Sequence, residues 1–210
     1  MVAAWVWLFG AAVYLVCEAI AAARFPGYSY VDNYISELGV LALMNVGFMV
    51  HGSLFFVGAI VVSRSIPGMG WAGWSFVLAA SANAVGNILV GAFRSGDQRH
   101  VVGAGLAIVG GNIAVVIAGI ASRRVSSGYL TTFSAQNRRQ FHRLGLNGVY
   151  QCASVVLGVA GLICLAVLIL DRSRLLPVGL VERGSVYPII VWELMTAAAI
   201  LTGCGRCSRQ

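Results

Sequence analysis

The chain contains no lysine, and only 10% of its 210 residues are charged, where a soluble domain carries roughly 25%. That scarcity excludes an ordinary water-soluble globule, because too little charge is present to cover one. Proline occurs only four times, so the apolar runs are long and rarely interrupted. Several chemistries are missing as well. There is no His-Glu-x-x-His zinc motif, no Gly-x-Ser-x-Gly elbow, no Walker loop and no acidic repeat that would chelate magnesium. An arginine-rich voltage-sensor helix and inverted transporter-type repeats are not evident either. Of five cysteines, Cys17, Cys152 and Cys164 fall in apolar stretches, where cysteine is a small packing residue. Cys204-Gly-Arg-Cys207 has no second ligand pair and reads as a reduced tail rather than a metal site. No cofactor and no metal are expected.

What is present is hydrophobicity: 59% apolar residues and a mean hydropathy of +0.86. A membrane-crossing helix needs about 20 mostly apolar residues, and six segments qualify, near 2–23, 41–63, 70–93, 100–121, 147–170 and 184–203. The expected fold is therefore an all-α integral membrane protein, one six-helix bundle over residues 1–210. The first segment resembles a signal peptide in length, but it lacks a basic leader and carries Glu18 in its apolar part, so it reads as a retained helix. Six crossings put both termini on one side. Eight of the fourteen arginines fall on that side, five of them within 122–146, and the positive-inside rule then makes it cytoplasmic. The protein reads as a multi-pass component of the cell (plasma) membrane. Its net charge of +7 lies in short flanking loops, which suits anionic lipid headgroups, above all at 122–146, and not nucleic acid.

Against this background Glu18, His51 and Glu193 stand out, since an ionisable group at bilayer depth is costly and marks a functional site. At 1.5 Å per residue, Glu18 lies roughly 8 Å below the outer end of its span, His51 about 15 Å and Glu193 about 14 Å. A His51–Glu193 pair would satisfy both members, and an unperturbed imidazole changes charge near working pH. Glu18 shares a helix face with Tyr14 and reads either as snorkelling to the interface or as a protonated acid. These three are the candidate catalytic residues, converging on one pocket open to the outer side. Asp32, Glu37, Asn45, Asn87, His100, Arg183 and Trp192 are the candidate substrate-binding residues around it. Tyr28 to Gly39 is the densest polar and aromatic run, and Ser36-Glu37-Leu38-Gly39 reads as a site wall or lid, or as an interfacial helix. The four-residue spacings Ala79, Asn83, Asn87, Gly91 and Gly103, Ala107, Gly111 read as close-packing stripes, with Asn87 able to face the pocket.

Certain short motifs resemble the membrane family catalogued as domain of unknown function 998. They are Tyr34-Ile-Ser-Glu-Leu-Gly39, Asn45-Val-Gly-Phe48 with Gly52, Gly91-Ala-Phe93 with His100, Glu182-Arg183, Tyr187-Pro188 and Trp192-Glu193. The resemblance covers most of the chain and implies a six-helix bacterial or archaeal membrane protein, without a reaction. Small membrane terpene cyclases offer a chemical analogy, because isolated carboxylates in a helix bundle can act as acids, but no motif of theirs is matched. The leading expectation is a membrane enzyme moving protons on a lipophilic isoprenoid or lipid substrate, such as a cyclase, isomerase or hydrolase. The alternatives are a proton-coupled carrier or flippase using the same residues, and an accessory subunit whose buried charges set helix register. The oligomeric state stays open.

Overall fold

A computed structural model of the chain describes residues 1–66, 70–126, 146–171 and 175–207. Within them six helices follow one another: α1 (Val2–Arg24), α2 (Ala42–Ser65), α3 (Gly70–Ala92), α4 (Gln98–Ser126), α5 (Gly148–Leu170) and α6 (Val178–Cys207). A short 3-10 helix, Ile35–Val40, joins α1 to α2. All six are long and apolar enough to cross a membrane; 23 residues rise about 35 Å, against a hydrocarbon core of about 30 Å. The chain is an all-helical, multi-pass membrane protein. Most of the basic 122–146 segment, residues 127–145, lies outside the described residues, as do the side chains of Cys204 and Cys207.

Consecutive helices pack side by side, and α6 returns against α1 to close a ring. It also touches α4 across that ring, so α6 carries the residues that reach the interior. Ala3, Ala4 and Trp7 cluster with Ala197 and Ile200, which places the start of α1 and the last turns of α6 at one end of the bundle. The 3-10 helix covers the other end, with Ile35 and Leu38 buried beneath it. Outward faces are apolar: Trp71, Leu78, Val149 and Leu170 are all highly exposed. With no water in the bilayer core, this is the surface lipid requires.

The small-residue stripes do set the closest approach, with Gly103 and Ala107 meeting Gly86, and Ala79 and Asn83 meeting Gly110. A Cβ on Gly86 would sit 2.2 Å from the backbone nitrogen of Ala107, so α3 and α4 touch backbone to backbone there. Asn83 then donates to the Ala107 carbonyl at 2.7 Å. Helix starts are capped locally: Asn147 Oδ1 accepts the Tyr150 amide, and Asp97 Oδ1 accepts the Arg99 amide. The Arg99 side chain also binds Asp97 at 2.8 Å, and these bonds hold that carboxyl down, at a pKa of about 2.

One boundary departs from the sequence reading. The last helix begins at Val178 instead of 184, so Glu182 and Arg183 belong to the helix and not to the preceding loop. Pro177 explains the start: its carbonyl accepts the amides of Leu180 and Val181 and opens the first turn. The two charges are tolerated there because the 28–36 segment supplies their partners.

Candidate functional site

Two ionic centres occupy the ring, both built on α6. The deeper one is His51 on α2 with Glu193 on α6, Nε2 to Oε2 at 2.8 Å. Their depths differ along their own helices, about 14 Å from the start of α2 and about 22 Å from the start of α6 at 1.5 Å per residue. The difference is the six residues by which α6 begins earlier than the sequence suggested. Relative exposure is 2% for His51 and 0% for Glu193. His51 Nδ1 and Glu193 Oε1 have no hydrogen-bond partner. Tyr14 stacks edge-on against the imidazole, with centroids 5.1 Å apart.

Above the pair, toward the 3-10 helix, lies a cavity of ≈ 40 Å³. At roughly 10–15 Å³ per water this admits about three waters, and it is far below the 300–1,000 Å³ of sites that enclose a whole small ligand. Its polar wall comprises His51, Asn83, Asn87, His100 and Glu182, and Ser36 contributes from the 3-10 helix. His100 Nδ1 donates to the Phe93 carbonyl at 2.8 Å, leaving Nε2 without a partner although the residue is 96% buried. Glu182 caps the 3-10 helix from outside its own segment by accepting the Ile35 amide. First-turn amides lack intrahelical partners, so this carboxylate both satisfies one and fixes the cavity roof.

Below the pair the ring is filled by aromatic side chains. Trp7, Phe55, Phe76 and Trp192 pack edge to face, the two tryptophans with centroids 5.1 Å apart. Trp7 Nε1 donates to the Phe55 carbonyl and Trp192 Nε1 to Ser154 Oγ. Trp192 therefore belongs to this aromatic plug and does not line the cavity.

The second centre is Glu18 with Arg183. Arg183 donates to Glu18 Oε1 at 2.9 Å and to the Tyr28 hydroxyl at 2.6 Å. Its other terminal nitrogen reaches the carbonyls of Tyr30, Asn33 and Gly179. Tyr187 donates to both oxygens of Glu18. The guanidinium lies 4.5 Å from the Tyr30 ring centroid. Burial raises the Tyr28 and Tyr30 hydroxyls above their ordinary range, with Arg183 opposing the shift.

The single pocket expected from the sequence is thus divided. His51, Asn87 and His100 line the cavity; Glu193 stands behind His51; Glu18 and Arg183 satisfy each other elsewhere, and neither lines it. Arginine's five donors suit loop carbonyls and a carboxylate together, which is why this pair forms. Asp32 is exposed and accepts from Ser29; Glu37 accepts from Asn33; Asn45 donates to the Gly39 carbonyl. These three hold the 29–45 segment in place. Glu182, Asn83 and Tyr14 are cavity residues that the sequence did not nominate. Among the described residues no three His, Cys, Asp or Glu side chains gather as a metal set.

Fold and site together define a polytopic membrane protein with titratable residues held inside a closed helical ring. The chain belongs to the family described as protein of unknown function (DUF998), which it matches over residues 8–199. No curated protein and no solved structure matches it.

Proposed function

We propose that the protein is a membrane-embedded enzyme that moves a proton at His51, acting on a lipophilic substrate whose polar group enters the cavity. The observation carrying this reading is the His51–Glu193 pair, buried at 2.8 Å and backed by an aromatic plug, with an unpartnered ring nitrogen left over. When Nε2–H donates to an ionised Glu193, Nδ1 keeps a lone pair. Nδ1 can then accept a proton while Nε2 passes its own to Glu193 Oε2. The pair becomes a neutral histidine and a neutral acid, and a single proton has crossed the ring. The cavity volume limits what enters to a headgroup or reacting group, so an isoprenoid or acyl chain stays among the helices or in the bilayer. The arginine distribution favours a plasma membrane orientation with cytoplasmic termini and the cavity toward the outside.

The test is incubation of detergent-solubilised protein with a membrane lipid extract, comparing products of wild type and His51→Ala by mass spectrometry. A product formed by wild type and lost in the variant is expected; identical product patterns would overturn the enzyme. A second reading, a proton-coupled carrier, is favoured by the water-sized cavity. It requires substrate-dependent proton flux across liposomes, which the enzyme does not.

A further inference from the structure

The polar wall of the cavity is unequal in donors and acceptors. His100 Nδ1 donates to the Phe93 carbonyl, and Nε2, without a partner, presents a lone pair when the ring is neutral. His51 Nδ1 presents another when Nε2 donates to Glu193. Glu182 adds a carboxylate that has no cation within ion-pair distance among the described residues. The nearby amide donors turn elsewhere: Asn83 to the Ala107 carbonyl and Asn87 to Asn83. A buried acceptor without a donor is costly, so the wall calls for a ligand rich in N–H or O–H groups. Glu182, a carboxylate held by the Ile35 amide and by no ion pair among the described residues, favours positive charge in the cavity, which Tyr14 and Phe48 also line.

We propose that the cavity binds a primary ammonium group, carried by a lipid headgroup or by a small free amine; this rests on the reading of His51–Glu193 as a proton-exchanging pair. The size agrees, since space for about three waters admits –NH3+ and a short stem but not a bulky quaternary head. Charge bookkeeping agrees too. R–NH3+ gives a proton to His51 Nδ1, its N–H bond breaking toward nitrogen, while the Nε2 proton passes to the Glu193 carboxylate. The products are R–NH2, a neutral imidazole and a carboxylic acid, so the transfer removes two opposite charges from the ring interior. A neutral alcohol giving up the same proton would leave an alkoxide there.

The experiment uses the full chain with 15N-labelled histidine in phosphatidylcholine nanodiscs, titrated with methylammonium chloride or tetramethylammonium chloride at fixed ionic strength. A parallel sample replaces part of the phosphatidylcholine by phosphatidylethanolamine. Saturable shifts of His51 Nδ1 and His100 Nε2 are expected with methylammonium or phosphatidylethanolamine and not with tetramethylammonium, which has no N–H. The responding arm identifies the source as free amine or lipid. His100→Phe should weaken binding about tenfold, the loss of one hydrogen bond to a charged group. Glu182→Gln, which keeps an oxygen for the Ile35 amide, should weaken it comparably and guards against misfolding of the first variant. No saturable shift in either arm, or an equal response to tetramethylammonium, would overturn the ammonium site. The balance of protonation between His51 Nδ1 and Nε2 across pH, read in the same spectra, tests the underlying pair separately. Exchange without amine binding removes only the ligand class, and a frozen tautomer removes the proton-transfer reading.

Discussion

Glu193→Gln separates holding from transferring. Glutamine has the same length and keeps a carbonyl oxygen able to accept the His51 Nε2 proton, so the 2.8 Å contact can persist. Hydrogen bonds between membrane helices average about 0.6 kcal/mol and reach about 1.7, so the stability change should stay near 1 kcal/mol. Glu193→Ala differs, because it strips the remaining partner from an imidazole that is 2% exposed and already has Nδ1 unpartnered. An unsatisfied buried group costs about 1–3 kcal/mol, and the vacated space adds to it. At about 2–4 °C per kcal/mol for a chain of this size, thermal unfolding in nanodiscs should fall by about 4 °C or less for Gln and by about 10 °C for Ala. Chemistry should show the opposite pattern. A neutral amide does not take up the Nε2 proton, so both variants should lose the general acid–base contribution, a factor of about 10²–10⁴. Turnover retained in Glu193→Gln to within about threefold would refute the relay. Equal destabilisation by Gln and Ala would refute the claim that the contact survives the loss of charge.

Gly86→Ala should separate α3 from α4, because its Cβ would meet the Ala107 backbone at 2.2 Å. A loss of about 1–3 kcal/mol is expected by thermal unfolding, whereas Gly105→Ala, whose Cβ meets nothing within 4 Å, should leave it unchanged. Arg183→Lys keeps the charge but not the fork that binds three carbonyls, Glu18 and Tyr28. Hydrogen exchange of the 28–40 amides should then accelerate with little change elsewhere, and unchanged exchange would count against this anchoring. The Tyr28 hydroxyl is raised by burial, so the folded state holds that proton more tightly than the unfolded chain. Its contribution is fully present below the ordinary tyrosine value near 10 and declines as pH rises beyond it. Thermal stability followed from pH 9 to 12 should therefore fall less steeply in Tyr28→Phe.

Six crossings were legible because length and apolarity alone identify a membrane helix, whatever it packs against. The His51–Glu193 contact was legible from comparable expected depth in two spans and the need of a buried carboxylate for a partner. The start of α6 was not. Glu182 and Arg183 look like loop charges until their partners in the 28–36 segment are known, and nothing local in 178–183 announces those partners. Glu18 was misjudged for the same reason, since its counter-ion lies 165 residues away. The aromatic role of Trp192 and the small volume of the cavity were also beyond reach. Both depend on how side chains from several helices interleave, four in the plug and five with the 3-10 helix around the cavity, which no single segment encodes.

The two ionic centres differ in what removing them would leave undone. Arg183 and Glu18 tie the 28–33 backbone to α1 and α6, and no apolar pair could satisfy those carbonyls. The His51–Glu193 pair satisfies nothing but itself. At that level the helices already meet through small residues and aromatic contacts, with Gly52 against Asn87, Gly58 against Trp7 and Gly111 against Ile189. Replacing a buried ion pair by well-packed apolar residues is often neutral or stabilising by about 1–4 kcal/mol. A pair that packing does not need, that leaves Nδ1 and Oε1 unpartnered, and whose histidine lines the cavity is better explained by proton exchange than by helix adhesion. On this argument Glu18, which the sequence ranked beside the other two, belongs to the framework that positions the cavity roof.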